Sequence, residues 1–305
     1  MTDERRTTGH DHDSAARPSR RDLLRSGAAA AVAAGVLRLR YPAPAGAQSA
    51  ATAAADVCVL TPELTEGPYY LPLDLLREDV TEGTPGLPLQ LRVNVVDLAN
   101  GCAPLPKAAV DIWHCDAQGY YSGVAANPGG GASGGPKVDS GTFLRGVQAT
   151  GDDGGAEFLT IYPGWYTGRT VHIHLKVHVG GRDGESTSAT GTPEAVYEGG
   201  HVAHTGQIFF DDAISDDVYG QAAAYGGRDN SRRTTNAQDN ILGGHLDEPG
   251  FLVALEPLAG DPLASGFRGV VTIGVDSATT PGAAGFGGPG GPPPGGPGGT
   301  PPANG

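Results

Sequence analysis

The stretch RTVHIHLKVHV (169–179) alternates two kinds of side chain: Val171, Ile173, Leu175 and Val177 interleave with His172, His174, Lys176 and His178. In an extended strand residues i and i+2 share a face. One face of this strand is therefore apolar and the other carries three imidazoles. Outward from it, LQLRVNVVDL (89–98), AAVDIWHCD (108–116), GAEFLTIY (155–162), GQIFFDD (206–212) and GVVTIGVD (269–276) are also β-branched or aromatic runs bounded by turn residues. Helical pattern is scarce, with DLLRED (74–79) and AISDDVYGQAAAY (213–225) as the two short candidates. Many short strands with few helices predict an all-β protein: a β-sandwich of mixed sheets with long loops. The polar stretch GGRDGESTSATGTPEA (180–195) reads as an inserted loop.

The two ends read differently from the middle. SRRDLLRSGAAAAVAAGVL (19–37) places Arg20-Arg21 before an apolar, alanine-rich run, and Ala45-Gly46-Ala47 follows as a small-residue cleavage site. That order is the pattern of a signal peptide, and the paired arginines point to the twin-arginine export route. Residues 1–47 are therefore expected to be a leader and 48–57 a flexible linker. The tail 279–305 is Gly/Pro low complexity with too little apolar content for a core, so disorder is expected there. The remaining 58–278, roughly 220 residues, fits a single all-β domain.

Charge excludes some partners. Residues 1–47 hold eight Arg and five acidic side chains, so the rest carries 12 basic against 29 acidic groups, a net of −17 where the whole chain has −14. Such a surface repels nucleic acid and anionic membranes. The three cysteines, Cys58, Cys102 and Cys115, permit one disulfide with one thiol left over, and their spacing leaves all three pairings open.

Two imidazoles on one strand face can converge on a metal, although exposed strand histidines would give the same H-x-H pattern. Upstream lie YPGWYTGR, with Tyr166 six residues before His172, and WHCDAQGYYSG, with Tyr120-Tyr121 at the end of a strand. Singly, each tyrosine reads as a core or turn residue.

Taken together, these residues resemble the intradiol ring-cleavage dioxygenases, the family of the catechol and protocatechuate dioxygenases. The resemblance runs over about half the chain, on TEGPYY (65–70), AAVDIWHCDAQGYYS (108–122), FLRGVQATGDDGGAEFLTIYPGWY (143–166) and RTVHIH (169–174). The family's W-x-x-(D/N)-x-x-G-x-Y segment aligns Trp113, Asp116 and Gly119 and so selects Tyr121 over Tyr120. The resemblance implies a non-haem Fe(III) held by Tyr121, Tyr166, His172 and His174. It implies cleavage of catechol-type rings between the two hydroxyl-bearing carbons, with both atoms of dioxygen entering a muconate-type diacid. By the same resemblance, Tyr166 is the ligand that substrate displaces, Arg169 is a fixed cation beside the ring, and Gln207 lies near the oxygen site. Gly67, Pro68, Tyr69 and Trp165 line the substrate mouth. His114, His178, His201 and His204 read as packed or surface groups. The competing reading is an exported sandwich module of the same descent without turnover, which would have no reason to keep two phenols facing two imidazoles.

Overall fold

The computed structural model describes residues 59–124, 141–188 and 191–282. All of these fall in one compact unit, Gly46–Gly305. The leader, the linker, Cys58 and most of the Gly/Pro tail lie outside the described residues.

Among the described residues nine strands occur in chain order: β1 Pro88–Asp97, β2 Ala103–Pro104, β3 Ala109–Trp113, β4 Arg145–Ala149, β5 Gly155–Ile161, β6 His172–Thr187, β7 Pro193–Phe209, β8 Ala254–Pro257 and β9 Phe267–Val275. The described residues also hold two α-helices, α1 Asp212–Gln221 and α2 Pro262–Ser265. The strands form two sheets. The first runs β2-β1-β9-β8, with β5 also paired to β1; β1 and β9 are parallel and the other pairings antiparallel. The second runs β4-β3-β6-β7 and is antiparallel throughout. The mixed β-sandwich expected from alternation is therefore the fold.

Alternation also decides what each face does. Leu89, Leu91, Val93 and Val95 of β1 meet Val110 and Ile112 of β3 and Ile173, Leu175 and Val177 of β6 in one buried cluster between the sheets. Burying apolar side chains at about 25 cal/mol per Å2 is the main force joining the two layers. The opposite face of the second sheet carries Asp111 and Trp113 of β3 and His172, His174 and Lys176 of β6, all buried. That face is polar yet covered, because Tyr70 packs on Trp113, Tyr166 on His172, and Tyr69 on Tyr121.

Two local expectations change. Much of 180–195 is β-ribbon, not loop: residues up to Thr187 and from Pro193 on belong to β6 and β7, which stay paired from Gly181↔Gly199 to Thr187↔Pro193, beyond an irregularity at Val177/His178. Antiparallel pairing saturates backbone groups whatever the side chains are, so a polar, Gly-rich stretch can continue a strand. Residues 74–79 do not form a helix. Leu76 N–H donates to Ala195 O (2.9 Å) and Arg77 N–H to Val147 O (3.1 Å), while Glu78 O accepts from Leu159 (2.9 Å). Its backbone groups are taken by strands of both sheets, which tie the segment down as a clasp. The second candidate helix does form, as α1 followed by a 3-10 turn, Ala223–Tyr225. Asp211 caps α1 by accepting from Ala213 and Ile214 N–H.

Cys102 is disulfide-bonded. Cys115 is free and buried, and its Sγ lies 3.3 Å from Gly164 O. Among the described residues no helix is long and apolar enough to cross a membrane.

Candidate metal centre

Three chain segments bring four donor atoms together on the covered face of the second sheet. His172 and His174 come from one strand and point the same way, their Nε2 atoms 3.1 Å apart. Tyr121 comes from the turn after β3. Asp116 Oδ1 accepts from the N–H groups of Gln118 and Tyr120 (2.9 and 3.0 Å), and Gly119 takes φ +89°. That tight turn reverses the chain and aims Tyr121 inward. Its Oη lies 3.3 Å from His172 Nε2. Tyr166 comes from the turn after β5, and its Oη lies 3.0 Å from the same nitrogen.

The two tyrosine turns are built against each other. Gly164 N–H donates to Asp116 O at 3.1 Å. A Cβ on Gly164 would sit 2.3 Å from Asp116 O and 2.7 Å from Ala117 C and O. Glycine is thus required here by backbone contact. Tyr120, half-buried, is not brought to the cluster; Tyr121 is 1% exposed.

The donor set fits a cation. His172 Nδ1 lies 2.6 Å from Thr170 O. A carbonyl only accepts, so Nδ1 carries the proton and Nε2 presents a lone pair. Burial holds His172 down to about 3 and His174 well below its ordinary range, so both imidazoles are neutral. Burial raises both phenols, Tyr121 and Tyr166, above the usual range. The single lone pair of His172 Nε2 faces Tyr121 Oη, Tyr166 Oη and His174 Nε2 within 3.3 Å, more neighbours than one hydrogen bond can satisfy, so the crowding suits a shared cation, and a highly charged one would release the phenol protons. Among the described residues no group of three or more His, Cys, Asp or Glu could hold a metal. The cluster needs its tyrosines.

Aromatic walls hold these ligands. Trp113 stacks on His174, centroids 5.0 Å apart and planes within 6°. The His174 Nδ1 has no hydrogen-bond partner, so the ring is held by packing. Gly67, at φ +75°, lies close to the ring; a Cβ there would lie 3.0 Å from His174 Cε1. Tyr69 stacks on Tyr121 at 4.4 Å and meets Tyr166 edge-on at 6.2 Å. Pro68 is exposed beside them. Tyr70 leans on Trp113 (4.8 Å), with Lys176 Nζ 3.5 Å from its ring centroid.

Trp165, expected at the substrate mouth, is 2% exposed and belongs to the main hydrophobic cluster. Its Nε1–H donates to Asn230 Oδ1 (3.2 Å), and the Arg228 guanidinium lies 3.8 Å over its ring. Tyr166, the next residue, packs in the ligand cluster instead.

Arg169 and Gln207 do meet at the site. Gln207 stands opposite His174 in the β6–β7 register. Its Oε1 accepts from Arg169 Nη2 (2.5 Å), and its Nε2–H donates to Thr65 O (2.7 Å). Sequence reasoning missed the partner of Arg169: Asp239 Oδ2 accepts its Nε–H at 2.8 Å. Asp239 lies 70 residues away in sequence, and no local pattern marks it. His114 is an ordinary packed histidine, with Nε2 2.7 Å from Thr160 Oγ1 and Nδ1 2.9 Å from Cys115 O.

The buried histidines set an acid limit on the metal-free protein. Burial depresses His114 and His178 to about 4 and His172 to about 3, and His174 falls in the same direction. The unfolded chain protonates these groups near 6.5 and the folded one does not. Below that pH the unfolded state binds more protons, so stability falls as pH falls from about 6.5 toward 4. Asp111, raised by burial to about 7, and Asp74, also raised by burial, oppose this across that range but are two carboxyls against four imidazoles. Urea midpoints of iron-free protein are expected to decline steadily between pH 7 and pH 4.5; a flat profile would contradict neutral burial.

No family model matches the chain, and no curated protein does. Among solved structures, it is similar to an intradiol ring-cleavage dioxygenase from Tetranychus urticae, with 30% identity and a TM-score of 0.58 over 74% of this chain and 98% of that one. A second solved dioxygenase gives 30% identity and a TM-score of 0.57 over the same shares of the two chains. The fold, the extent of that match and its identity together place this chain in the intradiol ring-cleavage dioxygenase family.

Proposed function

We propose that this chain is a non-haem Fe(III) intradiol dioxygenase. It would open catechol-type rings between the two hydroxyl-bearing carbons and place both atoms of dioxygen in a muconate-type diacid. The observation that carries this reading is the meeting of Tyr121 Oη, Tyr166 Oη, His172 Nε2 and His174 Nε2 at one buried point. Two phenolates and two neutral imidazoles suit a ferric ion, since anionic oxygen ligands favour the higher charge. When bound, ferric iron supplies a Lewis acid that draws electron density from a chelated catecholate and directs the ring toward dioxygen.

The chain's own residues do the rest. Tyr166 Oη would help hold the metal and, as a phenolate beside the bound diol, would accept a proton from a catechol hydroxyl. Arg169, held by Gln207 and Asp239, offers a fixed positive charge to the electron-rich ring. Tyr69, Trp113 and Tyr121, all buried, exclude water and give the ring an apolar wall.

Purified protein is expected to be red-brown from tyrosinate-to-iron charge transfer and to consume oxygen with at least one of catechol, protocatechuate, hydroxyquinol or a caffeoyl catechol. Colourless iron-replete protein, or no uptake on any of them, would favour the module without turnover. The twin-arginine leader supports export as part of this reading. Replacing both Arg20 and Arg21 with lysine is expected to leave the protein in the cytoplasm.

A further inference from the structure

One buried carboxylate joins the two halves of the site. Asp239 Oδ2 accepts from Arg169 Nε–H at 2.8 Å and from the Thr170 backbone N–H at 2.7 Å. Its Oδ1 accepts from the N–H groups of Ile241 and Leu242, at 2.8 and 2.9 Å. Asp239 is 1% exposed. The Thr170 carbonyl is in turn the partner of His172 Nδ1, at 2.6 Å. A neighbour on the same segment, Asn236, accepts from Thr170 Oγ1 at 2.6 Å and donates to Phe210 O at 2.8 Å.

We propose that Asp239 is the positioning residue of this centre: it sets the guanidinium of Arg169 toward the reacting ring and, through Thr170, orients His172 among the donors. The catalytic half of the proposal rests on the dioxygenase reading, whereas its geometric half does not. The physical case is that all the acceptor positions used are filled by fixed donors. Two of these, Ile241 and Leu242 N–H, belong to the segment that presents the carboxylate, so it cannot swing. The other two belong to the start of the histidine strand. Arg169 is bound at Nε by Asp239 and at Nη2 by Gln207, and two attachment points fix both the position and the plane of a guanidinium. An ion pair serving stability alone would not need the oxygen that takes Arg169, Oδ2, to hold the Thr170 backbone N–H as well.

Asp239→Asn is the sharpest test. It keeps the shape but turns one oxygen into an N–H2 group facing other donors. In the iron-loaded enzyme kcat is expected to fall about 10- to 100-fold, with KM nearly unchanged and iron held more weakly as His172 loosens. In an Arg169→Lys background the same substitution is expected to cost clearly less in kcat, because residues acting through one another are non-additive. An equal loss in both backgrounds would overturn the proposal.

A second readout needs no iron. In the 1H–15N spectrum of iron-free protein, the Arg169 Nε–H signal, assigned by its absence in Arg169→Lys, is expected to be sharp and protected. It should shift or vanish in Asp239→Asn; an unchanged signal would overturn the positioning role. Should the amide variant not fold, Asp239→Glu is read the same way, since its carboxylate is displaced by one methylene. Absence of turnover in the unmodified protein would remove the dioxygenase reading alone, and the iron-free spectra would still decide Asp239.

Discussion

On the proposed ferric reading, replacing His174 with alanine is expected to abolish iron binding and the colour that goes with it. The substitution removes one of four donors at a point where the others cannot move closer. His172 is tied to Thr170 O, Tyr121 lies under Tyr69, and Tyr166 is fixed by the turn that packs on Asp116. Loss of a supporting partner alone weakens metal binding about 10- to 100-fold, so loss of the ligand itself is expected to exceed about a hundredfold. The same change empties the space beside Trp113 and Gly67. It is therefore accompanied by a drop in the melting temperature of the iron-free protein. Metal analysis and the visible spectrum measure the first effect and calorimetry the second. A His174→Ala protein that stays red-brown and active would mean that the donor assignment is wrong.

The second large effect is expected from Tyr166→Phe. Phenylalanine keeps the edge-on contacts with Tyr69, Tyr121 and His172 but removes the oxygen. Iron binding is expected to weaken modestly, with three donors left, and the visible band to shift as one of two phenolates disappears. Turnover is expected to fall about 100- to 10,000-fold, the range for loss of a positioned proton acceptor. Because the lost group acts while substrate binds and reacts, kcat and kcat/KM should fall together. Stopped-flow mixing with catechol separates binding from reaction. If Tyr121→Phe impairs proton removal from substrate and Tyr166→Phe does not, the two tyrosines have exchanged roles.

The alternation around His172 and His174 made the strand and its two faces readable, since a period of two needs no knowledge of distant residues. The H-x-H pair and the order of Tyr121 and Tyr166 before it were likewise visible. The contacts of Trp165 with Arg228 and Asn230 were not readable, because a turn residue's direction depends on what packs against it. Residues 180–187 looked like a loop because a two-stranded ribbon is held by backbone pairing and leaves little mark on side-chain composition.

By itself, then, the sequence determined the sandwich, the family resemblance and the identities of the candidate ligands, all of which rest on local period, spacing and order. Tertiary structure alone decided that two turns far apart in the chain meet at Gly164 and Asp116, that Gln207 faces His174 across a strand, and that Asp239 holds Arg169 and Thr170 from 70 residues away. Such contacts join distant segments whose approach is set by the packing of the two sheets, and no short stretch of chain encodes it.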